Sequence, residues 1–367
     1  QEVRLFRCSA IYFHRFRFLY YCPFSVSYCQ AESFHEIIAF MAQQEGKTVT
    51  AGKNDSGRRF DRVCRKLLRN DLPLSAVYAG IRKGKIRVNG KKAKPSFLLK
   101  EGDEIFIRKE LFPEGSKEKP AERKTGLQPS LIVYENEHIL VLNKPPGVLT
   151  HGKDSLQEAA AGYLAKEARE SLSFSPAPLH RLDRNTSGLL VFGKSIDGSR
   201  IFSELLRARE VVKIYLGVHY GVIGENQFWE DRLTRDRKNL RTGVAQEGES
   251  AALSVYPLLS SSRYGLSLFV PRTGRTHQIR AQSSSRGHPL AGDRKYGGGK
   301  IEGHLLLLHA SMLFFNKENP VIGTRTLYAA PHERFRSAAQ ALLSPAEADT
   351  CLTQLSEKIM TKISSIS

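Results

Sequence analysis

The sequence predicts an α+β protein in two folded parts, a small basic α/β module followed by a larger domain built on a mixed, largely antiparallel sheet. Three observations carry this expectation. Strand and helix patterns succeed one another without the regular alternation of a doubly wound fold, and no Gly-x-Gly-x-x-Gly closes a strand. Residues 110–130, from Glu110-Leu111-Phe112-Pro113 to Gln128-Pro129-Ser130, are rich in charge, Pro and Gly without an apolar period, and read as a linker. The chain's 367 residues, 41% of them hydrophobic, suffice for two globular units. The expected divisions are 1–57, an extension of unknown role; 58–109, the basic module; 110–130, the linker; 131–345, the larger domain; and 346–367, a C-terminal tail.

In the basic module, Phe60, Val63, Leu67 and Leu68 fall on one face of a helix, with Arg62, Arg65, Lys66 and Arg69 around the rest. Ser75 is placed to cap a second helix that runs through Arg82 and Lys83 and stops at Gly84. Lys85-Ile86-Arg87-Val88 reads as a strand entering an Asn89-Gly90 turn, with Lys91, Lys92 and Lys94 just beyond it. Glu101-Gly102-Asp103 is a further turn, followed by the alternating strand 104–108. Residues 58–109 hold 16 Lys and Arg against 5 Asp and Glu, a net of +11 out of the chain's +19. Charge fixed on short ordered elements points to RNA, with Arg62, Arg65, Lys66, Arg82, Lys83, Lys85, Arg87, Lys91 and Lys92 as the contact residues. A charge run is more often merely a solvated face.

Past the linker, 131–134 and 139–142 are apolar strands around a Glu-Asn-Glu-His turn, and Asn143-Lys144-Pro145-Pro146-Gly147 ends the second. Ser155 and Glu158 form a capping box for a helix with Leu156, Ala159, Ala160, Tyr163 and Leu164 inward. Later strands are 189–192, 211–220 and 266–270. In the strand Val211 to Tyr220, Val212, Ile214, Leu216 and Val218 share one face, leaving Lys213, Tyr215 and His219 on the other.

A net charge of +19 calls for a polyanionic partner, nucleic acid first and an anionic membrane second. The hydrophobic content is too high for a disordered chain. No apolar run reaches the roughly 18 residues of a spanning helix. Cys8, Cys22, Cys29, Cys64 and Cys351 make an odd set without a Cys-x-x-Cys pair, which fits reduced thiols in a cytoplasmic protein. The aromatic segment from Ile11 to Cys29 is broken by His14, Arg15, Arg17 and Pro23, which disfavours a signal peptide. No metal site is expected, because His277, His288, His304 and His309 lack the Cys or carboxylate set that would complete a zinc shell. Nor is there a phosphate-binding loop or a Gly-x-Ser-x-Gly elbow around Ser187.

Two polar runs embedded in apolar surroundings remain. Leu179-His180-Arg181-Leu182-Asp183-Arg184-Asn185-Thr186-Ser187-Gly188 runs directly into a strand. An aspartate between two arginines is held as the carboxylate, which suits a nucleophile or electrostatic stabiliser better than a general acid. The same pattern is equally that of a structural salt bridge. The second run, Pro271 to Arg280, has Gly274 for a tight turn and Thr273 or Thr276 to cap the helix from Gln278, so that Arg275 would project near an anion-binding helix N-terminus. The neighbouring run from Gly287 to Gly297 reads as a surface loop as readily as a functional one. Tyr215, set among basic residues off the core face, could stack on a base, although ordinary packing is the commoner role.

These residues resemble the RluA family of RNA pseudouridine synthases. His180-Arg181-Leu182-Asp183 with Thr186-Ser187-Gly188 is similar to that family's catalytic motif, and Arg272 to Arg280 with Gly292-Asp293 and Tyr296-Gly297 is similar to its later one. The likeness covers about 131–315, while 59–107 resembles the alpha-L RNA-binding domain of ribosomal protein S-four type. The resemblance implies a pseudouridine synthase fold and a cofactor-independent isomerase. Asp183 would be the nucleophile, Tyr215 would pack on the uracil, Arg275 would pair with the aspartate, and Arg181 would fill the stack left by a flipped base. Two departures, Leu253 where relatives usually carry Thr and Asn316 to Pro320 where they carry His-Pro, touch none of these residues. The implied partner is structured RNA, most of all large-subunit ribosomal RNA, acted on by a monomer without a membrane. Two alternatives stand beside this reading: a non-catalytic rRNA chaperone and a nucleosidase that releases the base.

Overall fold

In the computed structural model the chain divides into two units, Gln1–Lys119 and Pro120–Ser367. The structure describes residues 18–22, 25–29, 45–68, 72–112, 126–165, 171–172, 174–236, 238–301 and 306–363. Most of the expected linker, Arg69, His304 and the side chains of the segment 11–29 lie outside the described residues.

In the first unit, β1 (Phe18–Cys22) and β2 (Ser25–Cys29) pair antiparallel. The basic module follows as β3 (Gly46–Thr50), α1 (Phe60–Leu67), α2 (Leu74–Arg82), β4 (Ile86–Val88) and β5 (Glu104–Arg108). Its sheet has the order β3-β5-β4, antiparallel throughout. The module therefore begins before residue 58, because β3 completes the sheet by pairing Gly46 with Arg108 through Thr50 with Glu104. That strand is mostly exposed and polar, so no apolar alternation announces it. Phe60, Val63 and Leu68 are buried, as the helical period requires. The buried Asp61 locks α1 to α2, accepting from Arg59 Nη2 at 2.6 Å, from the Tyr78 hydroxyl at 3.0 Å and from the Arg62 amide at 2.8 Å. Ser75 does not cap α2: the N-cap is Pro73, which has no side chain to donate or accept. Asn89 and Gly90 take φ of 48° and 72°, the conformation of a two-residue hairpin turn, closed by Val88 and Lys91 exchanging backbone bonds of 2.9 Å.

The second unit holds β6 (Ile132–Glu135), β7 (Ile139–Lys144), α3 (Leu156–Tyr163), β8 (Ala177–Pro178), β9 (Ser187–Gly193), α4 (Ile196–Arg207) and β10 (Val211–Tyr220). It continues with β11 (Gln227–Asp236), β12 (Arg241–Ala245), β13 (Glu249–Ser260), β14 (Tyr264–Pro271) and α5 (Gln278–Ser285). Last come β15 (Leu308–Phe315), β16 (Thr326–Tyr328), α6 (Glu333–Leu342), α7 (Pro345–Thr353) and α8 (Leu355–Ile363). The strands form one sheet in the order β12-β11-β13-β14-β10-β15-β9-β7-β6, with β16 on β15 and β8 on β9. All ladders are antiparallel except β15 with β9, so the mixed, largely antiparallel sheet is as expected. At that parallel contact Gly188 has φ 108°, and a Cβ there would run into the Ala310 backbone.

Strand β10 separates two cores. Ile214, Leu216 and Val218 pack with Leu268, Val270 and Met312 under the C-terminal helices. Tyr215 lies on the other side with Leu253, Phe269, Ile279 and Leu290. Residues 346–363 are not a tail: Cys351, Leu352, Leu355 and Ile359 are buried in the first of these cores. Their spacing is that of an apolar helical stripe, and the sheet face it covers would otherwise be wet. Ser155 caps α3, accepting from the Glu158 amide, but Tyr163 is 44% exposed and donates its hydroxyl to Glu135. A tyrosine at the end of a short helix can leave the core because its hydroxyl finds a surface acceptor.

Candidate active site

The loop 180–186 enters β9 and is anchored at every second residue. His180 Nε2 accepts the Val191 amide at 3.1 Å, and burial pushes its pKa down to about 3, with Lys213 adding to the shift. The Leu182 carbonyl accepts from the Thr150 hydroxyl at 3.0 Å. The Arg184 carbonyl accepts from the Gly147 amide at 2.9 Å and from Lys144 Nζ at 2.9 Å. Lys144, fully buried at the end of β7, also donates to the carbonyls of Pro145 and Val148 at 3.0 and 2.8 Å. Burial lowers its pKa to about 8, opposed by the charge of Asp183. An ammonium ringed by three carbonyls satisfies groups that a buried turn would otherwise leave unpaired. Asp183 is thereby held from both neighbours, Leu182 by Thr150 and Arg184 by Lys144 and the Pro-Pro-Gly turn after β7.

Asp183 pairs with Arg280, not with Arg275. Arg280 Nη1 lies 2.8 Å from Asp183 Oδ2, while its Nε and Nη2 grip Asp293 at 2.7 and 2.9 Å. Asp293 is 2% exposed. Arg275 turns away to Glu249, 3.1 Å from Nη1, and to the Ser250 carbonyl, 3.1 Å from Nε. The turn before α5 explains the difference. Neither Thr273 nor Thr276 caps the helix; the Gln278 side chain folds back and accepts from the Thr273 hydroxyl at 2.7 Å and the Arg275 amide at 3.1 Å. Arg275 is thus directed along β13, and Arg280, inside the first turn of α5, faces Asp183. His277, at the N-cap with φ 55°, places Nε2 3.5 Å from Asp183 Oδ2. The arginines adjacent in sequence do other work: Arg184 donates from Nε to the Gly147 carbonyl, and Arg181 stands exposed at the cleft.

These groups line a cleft of about 660 Å³. Among the described residues lining it, Asp183 is the sole carboxylate, against seven lysines and arginines that include Arg181, Arg207, Lys213, Arg272 and Arg280. Tyr215 and Leu308 supply apolar surface in the same cleft. Burial raises the Tyr215 pKa, and the charge of Asp183 raises it further, so the phenol stays neutral. Burial lowers the pKa of Lys213, whose ammonium has no ion pair or hydrogen bond among the described residues. A polyanion bearing a planar apolar group fits this lining.

In the basic module, Arg62, Arg65, Lys66, Arg82, Lys83, Lys91 and Lys92 are exposed. Lys85 is half-buried and pairs with Glu110 at 2.9 Å, and Arg87 donates to the Gly84 carbonyl at 2.8 Å. Sequence reasoning quoted the run to Arg280 with Asp293 and Tyr296 as a motif, but it gave no role in the site to Arg280, His277, Lys144, Asp293 or Tyr296. The two late arginines are indistinguishable by residue type, and only the helix start at Gln278 separates them.

Residues 138–285 match the RNA pseudouridylate synthase family, and residues 58–105 match the S4 domain. The chain is 32% identical over 309 residues to Ribosomal large subunit pseudouridine synthase C of Salmonella typhi, covering 78% of this chain and 93% of that protein. It is 33% identical over 290 residues to the protein of the same name from Escherichia coli K12, covering 73% and 88%. The solved structure of Human RNA Pseudouridylate Synthase Domain Containing 4 superposes with a TM-score of 0.48 at 22% identity, over 57% of this chain and 92% of that one. A likeness that spans most of this chain and nearly all of its relatives places it in one family: the chain belongs to the RNA pseudouridylate synthases, an isomerase family, and carries an S4 domain ahead of the synthase domain.

Proposed function

We propose that this chain converts uridine to pseudouridine in large-subunit ribosomal RNA, with Asp183 as nucleophile and the target nucleotide flipped into the cleft. The observation that carries the proposal is one carboxylate, gripped by Arg280, set among seven lysines and arginines in a cleft that also offers the apolar surface of Tyr215 and Leu308. The relatives named for large-subunit pseudouridine synthesis support the choice of RNA.

The chemistry asks little beyond these side chains. Asp183 adds to the ribose C1′ as the bond from C1′ to N1 breaks, the uracil turns, and C5 then bonds to C1′ as the bond to Asp183 breaks, which returns the free carboxylate. The C5 proton leaves and N1 gains one, so the product is an isomer of equal mass and no cofactor is consumed. A single carboxylate distinguishes the site from the paired carboxylates of most glycosidases. Tyr215, neutral and set in the apolar part of the cleft, is the surface for the uracil to stack on. Arg181, exposed beside Asp183, is the side chain to fill the gap in the RNA stack. The exposed cations of the S4 module hold the RNA by its phosphates.

The test is carbodiimide-dependent primer extension on unmodified large-subunit rRNA treated with wild-type protein or with Asp183→Ala. The reading expects new stops with wild type alone and no free uracil. Stops with neither protein on rRNA from a matched source, or released uracil, would overturn it.

A further inference from the structure

Asp183 meets a second group besides Arg280, and that group is set by residues outside the cleft. His277 Nε2 lies 3.5 Å from Asp183 Oδ2, and Nδ1 lies 2.9 Å from the hydroxyl of Tyr296. Tyr296 is almost wholly buried, with the guanidinium carbons of Arg241 and Arg280 each 4.9 Å from its ring centre. Its hydroxyl accepts the Thr242 amide at 2.8 Å. Burial raises the Tyr296 pKa, and the Thr242 hydroxyl lowers it as a second donor beside the amide does, so both acceptor sites of the phenol are taken and its own proton goes to His277 Nδ1. Nδ1 is therefore the unprotonated nitrogen of the neutral ring, and the proton sits on Nε2, facing the carboxylate. The opposite tautomer would present a lone pair to Oδ2 and repel it.

We propose, resting on the function given above, that His277 is a positioning residue for Asp183 and that Tyr296 fixes its tautomer so that Nε2–H points at Oδ2. Arg280 and His277 then both hold Oδ2, and Oδ1, which has no partner among the described residues, is the oxygen free to attack. Two features support the assignment independently. His277 is a non-glycine residue at φ 55°, a left-handed conformation that costs energy and persists where the surroundings impose it. Burial also lowers its pKa, with Arg280 and Lys295 adding to the shift against Asp183 and Asp293, which keeps the ring neutral at pH 7. A contact of 3.5 Å is long for a hydrogen bond, and catalytic contacts of this kind shorten when substrate closes the site.

The experiment measures the single-turnover rate of pseudouridine formation at saturating RNA, together with the RNA dissociation constant, for wild type, His277→Ala, His277→Gln and Tyr296→Phe. His277→Ala should slow the reaction about 10- to 100-fold with RNA affinity unchanged, the loss expected for one charge-assisted donor. His277→Gln, whose amide nitrogen reaches the Nε2 position, should recover most of the rate. Tyr296→Phe keeps the ring stacking but frees Nδ1 to take a proton, so the acid limb of its pH–rate profile should move to higher pH. An unchanged rate in His277→Ala, a glutamine variant as slow as alanine, or a parallel loss of RNA binding would overturn the inference. Should His277→Ala fail to fold, the glutamine and Tyr296→Phe variants decide it. No product from wild type would instead remove the functional reading, and this inference with it.

Discussion

The two arginines of the α5 turn make opposite predictions, and the structure says which one matters. Replacing Arg280 by Met removes three charge-assisted hydrogen bonds at once and leaves Asp293 buried, with its 2% exposure, and no cation. Breaking a buried pair from one side costs about 3–5 kcal/mol, because the remaining charge has lost its water and its partner. For a unit of this size that is a fall in Tm of about 10 °C. With Asp183 as the proposed nucleophile, loss of its preorganised contact should also slow pseudouridine formation by about 100- to 1,000-fold. Arg275→Ala removes a pair whose side chains are 37% and 69% exposed, so screening leaves it worth about 0–1 kcal/mol, and Asp183 keeps its partner. A second change separates the two losses: Arg280→Met with Asp293→Asn removes the orphaned charge and should restore much of the Tm but none of the rate. Thermal unfolding and single-turnover kinetics on the four proteins suffice. If Arg275→Ala lost activity as Arg280→Met does, or if Arg280→Met kept its Tm within about 2 °C, the assignment of Arg280 as the partner of Asp183 would be wrong.

Acid should weaken the fold before it unfolds the surface: His219 and His309 are fully buried, with burial holding both near pKa 4. Their folded values lie below the unfolded value of about 6.5, so stability is whole above that pH and is lost on the way down toward 4; at pH 5 the two together cost about 4 kcal/mol. A Tm that did not fall between pH 7.5 and 5, or that His309→Gln left just as pH-dependent, would refute this. In the S4 module, Arg82→Ala and Lys83→Ala should each reduce the slope of log affinity against log salt by about 0.7–0.9. Lys85→Ala should change it less, since Glu110 already holds that ammonium; equal slopes for all three would show that RNA competes the internal pair away. Gly188→Ala should destabilise the protein by more than about 3 kcal/mol, read by urea unfolding, because it combines a φ of 108° with a collision against the Ala310 backbone.

Local periodicity explains what the sequence made legible, and long-range pairing explains what it hid. The α1 stripe of Phe60, Val63 and Leu68, the Asn89-Gly90 turn and the alternating face of β10 each declare themselves within a dozen residues, where the 3.6 and 2.0 periods and φ above zero leave few choices. Asp183 was legible for the same reason, as a carboxylate in a polar run at a strand entry. Its partner was not. Arg280 is 97 residues away, and Asp293, which orients it, a further 13 along the chain; no local pattern ranks Arg280 above Arg275. The helix starts at Gln278 as expected, and the deciding event is the Gln278 side chain folding back onto Thr273 and the Arg275 amide, which orders the turn before the helix and leaves Arg275 and Arg280 pointing apart. Strand β3 was hidden by the converse problem, since a polar edge strand takes its identity from the partner it pairs with rather than from its own pattern. The fully buried Lys144 fits the same rule: a lysine is placed on the surface by its type, and only the three carbonyls of the turn beside Asp183 make its burial affordable. The residues given no role from the sequence are therefore ones whose contacts no local pattern announces, Arg280 with Asp183 97 residues away and Lys144 with the Arg184 carbonyl 40 away, and these contacts fix the geometry of the carboxylate.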